Sequence, residues 1–126
     1  MKKIKNVEAA FAAEGLDANA IEINGVPERH IEALKAMAKL FVVHDAVNPE
    51  FQPDFTNYDQ RKYNPFFSPG SVSGSRFAYH GCDDWSTRSL VGSRLVSESA
   101  KAAEYIGENF EELYKTIMVY ERPIKK

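Results

Sequence analysis

The sequence feature that most restricts the fold is the crowding of proline and aromatic residues into the middle of the chain. Four of the six prolines lie between residues 49 and 69, and nine of the fifteen aromatic residues lie between residues 51 and 85. Proline interrupts helices, and aromatic side chains favour the pleated surface of a sheet. We therefore predict irregular structure followed by strands in the middle of the chain.

The two flanks show the apolar spacing of three and four residues that is typical of helices. A first helix is predicted from an N-cap at Asn6 to a stop at Gly15, and a second from Pro27 to Asn48. A long C-terminal helix is predicted over 97–120, with Gly107 as a weak point. Its apolar stripe consists of Ala103, Ile106, Phe110, Leu113 and Ile117.

Between the helical flanks we predict one irregular segment and three strands. Residues 49–60 form the irregular segment, which three rings anchor: Phe51, Phe55 and Tyr58. The strands cover 61–67, 75–79 and 87–96, and a polar turn over 80–86 joins the second to the third. Pro65 marks the first strand as an edge strand or an interrupted one.

These elements predict an α+β fold in which the C-terminal helix packs on one face of a small antiparallel meander. We expect one domain over 1–126, because 126 residues are enough for one core and too few for two. Its parts are a helical region (1–48), the irregular segment (49–60), the meander (61–96), the C-terminal helix (97–120) and a frayed tail (121–126).

Composition excludes several classes of protein. A single cysteine, Cys82, excludes an internal disulfide and a multi-cysteine zinc site. No apolar run is long enough to span a membrane, and the first residues lack the apolar core of a secretory signal. We therefore expect a cytoplasmic location and no membrane partner, and the oligomeric state stays open.

A basic and aromatic region is the predicted binding surface. The chain has a net charge of −2, but residues 61–94 carry five basic and two acidic side chains. Such a sheet face can bind a protein partner, which we favour, or single-stranded nucleic acid. The alternative is that the rings serve the core and the arginines cover them. The predicted binding residues are Lys62, Tyr63, Arg76, Tyr79, Trp85 and Arg88.

A third possibility is a metal or thiol site at His80, Cys82 and Asp83. Imidazole, thiol and carboxylate groups are metal ligands, and a neighbouring imidazolium can activate a thiol. The same residues also suit a simple polar turn, and the following Asp84 opposes thiolate formation. The sequence contains no hydrolase, kinase or dinucleotide motif. We therefore predict no enzymatic activity and no cofactor.

Several short motifs carry a resemblance to a known group of proteins. The most specific are Lys-Tyr-Asn-Pro-Phe-Phe at 62–67 and Val-Gly-Ser-Arg-Leu at 91–95, and the matching pieces run from about residue 27 to residue 115. The chain resembles a family of small proteins from phages and prophages of gut Bacteroidales that have no assigned activity. The resemblance implies a phage or prophage accessory protein that acts in the bacterial cytoplasm or within a virion. It assigns no catalytic residue.

Overall fold

The computed structural model describes residues 1–89 and 92–124. It confirms an α+β fold, in which helices both precede and follow the strands along the chain. The helices are α1 (Val7–Ala13), α2 (Ile31–Val47), α3 (Ala100–Asn109) and α4 (Glu111–Met118), and the strands are β1 (Lys62–Ser68) and β2 (Ala78–Trp85). Short 3₁₀ turns cover Ala18–Ala20, Glu28–His30 and Ser93–Leu95. No helix among the described residues is long and apolar enough to cross a membrane.

The N-terminal helices follow the sequence prediction closely. The Asn6 side chain caps α1 by accepting a hydrogen bond of 2.8 Å from the amide of Ala9, and Gly15 follows the helix with a φ of 70°. Only the start of α2 differs, because a 3₁₀ turn over Glu28–His30 precedes the regular helix at Ile31. Capping chemistry and apolar spacing were sufficient to locate both helices.

The sheet has two antiparallel strands, β1 and β2. The first predicted strand is confirmed as β1. The second starts later than predicted and continues to Trp85, through residues predicted to form a turn. A bulge makes this possible: Phe66 pairs with Gly81 and Phe67 with Tyr79, so His80 is the extra residue.

The predicted third strand over 87–96 is wrong where the structure describes it. Residues Ser93–Leu95 form a 3₁₀ turn, while Leu90 and Val91 lie outside the described residues. A single bridge replaces the strand, in which Tyr63 and Ser97 exchange backbone hydrogen bonds of 3.0 and 2.7 Å. Because backbone groups alternate in direction, the nitrogen of Pro65 faces the same edge as Tyr63, so its missing donor does not weaken the pairing with β2.

The predicted long C-terminal helix is two helices. Phe110 ends α3 and precedes α4 with φ −123° and ψ 27°, and its side chain is only 5% exposed. The change of direction lets α3 pack on both strands while α4 packs mainly on α2. The helical spacing of apolar residues continues across the break, so periodicity did not reveal it.

Gly107 allows the close approach of α3 to the sheet. A Cβ atom at this position would lie 2.6 Å from the Tyr79 ring and 2.8 Å from Cβ of Pro65. Gly107 lowers the helix propensity of α3, but its lack of a side chain allows α3 to pack closely on β1 and β2. Around this contact the core draws on α2, α3 and α4, with Leu40, Val43, Val47, Ala102, Ile106 and Tyr114 among its buried residues.

Candidate interaction surface

Lys62, a predicted surface residue, is fully buried. Its ammonium group shares its N–H donors among four main-chain oxygens, those of Asp54, Asn57 (3.3 Å), Gln60 (2.7 Å) and Ser86 (2.6 Å). It also lies 5.0 Å from the centre of the Phe55 ring. Four carbonyl dipoles and an aromatic face thus replace the water that a lysine normally binds. Lys62 therefore holds the irregular segment 49–60 in place, and its buried ammonium group is not available to a partner.

The irregular segment 49–60 is held by polar contacts more than by the three predicted rings. Tyr58 is 76% exposed, so its predicted anchoring role is wrong. The Asp54 carboxylate accepts hydrogen bonds from the side chain and amide of Thr56, at 2.6 and 2.9 Å. The Thr56 side-chain bond is the main reason why the pKa of Asp54 is lowered, and the charge of Lys62 adds to it. Gln60 bonds to both the Asp54 amide and the Gln52 carbonyl.

The other predicted binding residues do not form one surface. Arg76 lies in the turn before β2, whereas Trp85 and Arg88 lie at the far end of that strand. Because an extended strand rises about 3.3 Å per residue, the two groups are separated by roughly 25 Å. Tyr63 and Tyr79 are half-buried, and Tyr79 packs under α3 at Gly107. The sequence region is continuous, but the fold divides it between two ends of the sheet.

At the Trp85 end of the sheet, Arg61 has an acidic partner and Arg88 packs on an aromatic ring. The indole nitrogen of Trp85 donates to the Asn64 side chain at 2.9 Å, and the Arg88 guanidinium lies 5.5 Å from the ring centre. Arg61 pairs with Asp84 at 3.6 Å, although both groups are about half exposed. Asp83 is also exposed nearby. The region therefore lacks the excess positive charge expected of a nucleic-acid surface.

The structure gives little support to the metal and thiol chemistry considered for His80, Cys82 and Asp83. Burial, and then the nearby carboxylates led by Glu104, raise the pKa of the Cys82 thiol, which opposes thiolate formation. The His80 ring instead packs on Phe66, with 5.2 Å between ring centres. Within residues 1–89 and 92–124, no three His, Cys, Asp or Glu side chains are grouped closely enough to hold a metal ion.

An apolar groove runs between β1, α2 and α4. Its first part is a cavity of about 270 Å³ whose walls include Met37 of α2, Phe66 and Phe67 of β1, and Ile117 and Met118 of α4. Its second part, of about 410 Å³, continues along α2 and shares Met37 and Ile117 with the first. The walls of this second part also include Val26, Pro27, His30, Ala33 and Leu34.

Large apolar side chains on the walls of this groove are exposed to solvent. Val26, Leu34, Phe66 and Met118 are each 38–41% exposed, and all four contribute to the two cavities. Scattered exposure of such residues is normal, but a continuous apolar surface typically marks an interaction site. The sequence alone does not reveal this site, because its residues are spread from 26 to 118 and share no motif.

The far end of the groove carries arginine side chains. His30 also lines a third, open cavity of about 580 Å³, together with Arg29, Tyr120 and Arg122. Arg29 donates to the Tyr120 hydroxyl at 3.3 Å, and the His30 and Tyr120 rings lie 5.5 Å apart. At Tyr120, the chain after α4 therefore packs against the 3₁₀ turn that precedes α2.

A buried polar network lies next to the groove and contacts it through Tyr114. The Tyr114 side chain lines the first cavity, and its hydroxyl lies 3.0 Å from Nε2 of His44, which is 2% exposed. Burial lowers the pKa of His44 to about 4 and raises that of Tyr114. Asn48 extends the network by donating to the His44 carbonyl and the Ser97 hydroxyl. His44 is thus neutral at pH 7.

Comparison of the chain with protein-family models, curated proteins and solved structures found no match. The geometry of the groove is therefore the basis for a functional proposal.

Proposed function

We propose that this chain is a non-enzymatic binding module that accepts an apolar segment of a protein partner in the groove between β1, α2 and α4. The observation that carries the proposal is the continuity of the two cavities through Met37 and Ile117, with exposed apolar side chains along their walls. Such grooves bind segments whose apolar side chains enter them in a row.

A protein segment fits this groove better than nucleic acid does. Single-stranded nucleic acid needs exposed rings beside an excess of positive charge that follows its backbone. Here the rings of Phe67 and Tyr79 pack with each other, and Arg61 pairs with Asp84. The groove walls, in contrast, offer mainly aliphatic and thioether groups, which suit apolar side chains.

The resemblance to phage and prophage proteins supports the same kind of role. An accessory protein without an active site acts by binding another molecule, and an apolar groove suits a segment of a protein. We therefore propose an accessory protein that works in the bacterial cytoplasm, where its partner would be a host or phage protein.

The proposal is tested by selecting a displayed library of random twelve-residue peptides against the full chain. Selected peptides are then measured for affinity toward Leu34→Glu and Met118→Glu, because both positions are partly exposed and line the groove. We expect each substitution to weaken binding at least tenfold, since it places a charge in an apolar contact. Val72→Glu is the matched control, because Val72 is 60% exposed and lines neither cavity.

Two outcomes would overturn the proposal. One is that selected peptides bind the two groove variants as tightly as the unaltered chain. The other is that the chain is a dimer in sedimentation analysis and Met118→Glu makes it a monomer, because the groove would then hold a second copy of the chain. Circular dichroism on each variant confirms that a lost affinity does not reflect a lost fold.

A further inference from the structure

The ends of the groove differ in charge. Arg29, His30 and Arg122 line the cavity next to the start of α2, and no Asp or Glu of the described residues contributes to its walls. Asp83 is the charged residue on the wall at the sheet end. An occupant that spans the groove therefore meets donors for an anion at one end and a carboxylate at the other.

The two arginines keep their guanidinium groups available. Arg29 uses Nε toward the neutral Tyr120 hydroxyl, and among the described residues neither Arg29 nor Arg122 forms a salt bridge. Arg61, in contrast, is paired with Asp84. A guanidinium group binds a carboxylate through two parallel hydrogen bonds, which gives both strength and direction.

Building on the proposed function, we infer that the partner segment is apolar and carries an acidic side chain at one end, which docks on Arg29 and Arg122. The apolar part fills the cavity beside Phe66 and Met118, and the acidic end reaches the cavity beside Tyr120. Charge complementarity thus fixes the direction in which the segment lies, with its acidic end away from Asp83.

The spacing between the apolar and acidic parts follows from helix geometry. His30 belongs to the arginine-lined cavity, and Met37 belongs to the cavity beside Phe66. The two residues are seven positions apart, one just before α2 and one within it, which corresponds to about 10 Å along the helix axis. The acidic side chain of the segment is therefore expected about three residues from the apolar anchor if the segment is extended, or about two turns away if it is helical.

The experiment uses the same random twelve-residue library with two charge-altered chains. Arg29→Glu/Arg122→Glu reverses the charge at the end of the groove. Lys3→Glu/Lys101→Glu makes the same change in net charge at two exposed positions that do not line the groove cavities. We expect peptides selected on the unaltered chain to be enriched in Asp or Glu on one side of an apolar core. Their affinity should fall at least tenfold for the first variant and less than twofold for the control.

The outcomes separate this inference from the proposed function. Peptides that lose affinity for Met118→Glu but show no acidic enrichment would overturn the inference and leave the binding module intact. Equal affinity for the two charge variants would overturn it in the same way. If no selected peptide responds to Met118→Glu, the proposed function fails as well. Selection on Arg29→Glu/Arg122→Glu supports the inference if the enriched charge changes from acidic to basic.

Discussion

At the scale of single residues, Lys62 has the largest set of contacts described for one polar side chain. We call the groups around its ammonium group the Lys62 cage. Four main-chain carbonyl groups from two loops converge on its ammonium group, and the Phe55 ring closes one side. A side chain without donors would remove all of these part-buried, charge-assisted hydrogen bonds at once. The cage therefore explains how a segment without regular secondary structure holds its shape.

We predict that Lys62→Met lowers the free energy of unfolding by at least about 3 kcal/mol, because several part-buried carbonyl groups lose a charged donor together. Urea denaturation measures the change, and limited proteolysis should show new cleavage within residues 49–61. Lys101→Met is the control, since Lys101 is exposed on α3. A loss below about 1 kcal/mol would show that the loop does not depend on the cage.

His44 predicts a specific dependence of stability on pH. The unfolded chain protonates His44 near pH 6.5, whereas burial lowers the pKa in the folded chain to about 4. The unfolded state therefore binds the proton more readily, and stability falls as the pH decreases from about 6.5 to about 4. We expect a loss of about 3 kcal/mol from this residue over that range.

The measurement compares urea denaturation at pH 7 and pH 4 for the unaltered chain and His44→Gln. The variant should lose about 3 kcal/mol less on acidification, because glutamine does not titrate. His30→Gln is the control, since His30 is outside the core cluster. An equal acid sensitivity of the unaltered chain and His44→Gln would contradict the assignment of a buried neutral histidine.

At this scale the sequence showed which side chains carry charge but not where they lie. Lys62 and Arg61 are adjacent in the chain, yet one is buried under carbonyl groups and the other pairs with Asp84 at the surface. That difference depends on the path of the loop 49–61, which no local pattern encodes. The predicted binding residues therefore included one structural lysine.

At the scale of elements, local signals located structures that local chemistry determines. The Asn6 cap and the apolar spacing of α2 depend on neighbours within one or two turns, so the sequence predicted both helices. The bulge at His80 and the break at Phe110 depend on packing between distant segments. Neither has a local signature, and for this reason the strand boundaries and the single C-terminal helix were wrong.

The contact between α3 and the sheet predicts the effect of one added methyl group. Gly107→Ala improves the intrinsic helix propensity by about 1 kcal/mol, but its Cβ would meet the Tyr79 ring at 2.6 Å. We expect the clash to dominate and to destabilise the protein by about 1–3 kcal/mol in thermal denaturation. The double variant Gly107→Ala/Tyr79→Ala should be less destabilised than the sum of its single variants. Additive effects would show that Gly107 and Tyr79 do not limit the helix–sheet distance.

At the scale of the whole molecule, the break at Phe110 creates the groove. It directs α4 along α2, away from the path of α3, and so places Ile117 and Met118 opposite Met37 with β1 at one end. The predicted partner class, a protein, stays a prediction, and the groove is the site that we propose for it. The binding site predicted from the sequence lay on the strands that carry the aromatic residues. Of the described strands, β1 contributes aromatic side chains to the groove, those of Phe66 and Phe67.

The three methionines of the chain offer the most direct test of the binding groove. Met37 and Met118 line it, whereas Met1 lies apart, with its amino group paired with Glu98 at 2.5 Å. We would label the methionine methyl groups with ¹³C and titrate the full chain with a peptide selected from the random library. The proposed binding module predicts that the Met37 and Met118 signals shift with one shared dissociation constant while Met1 is unchanged. Saturable binding that leaves both groove methionines unmoved would contradict it.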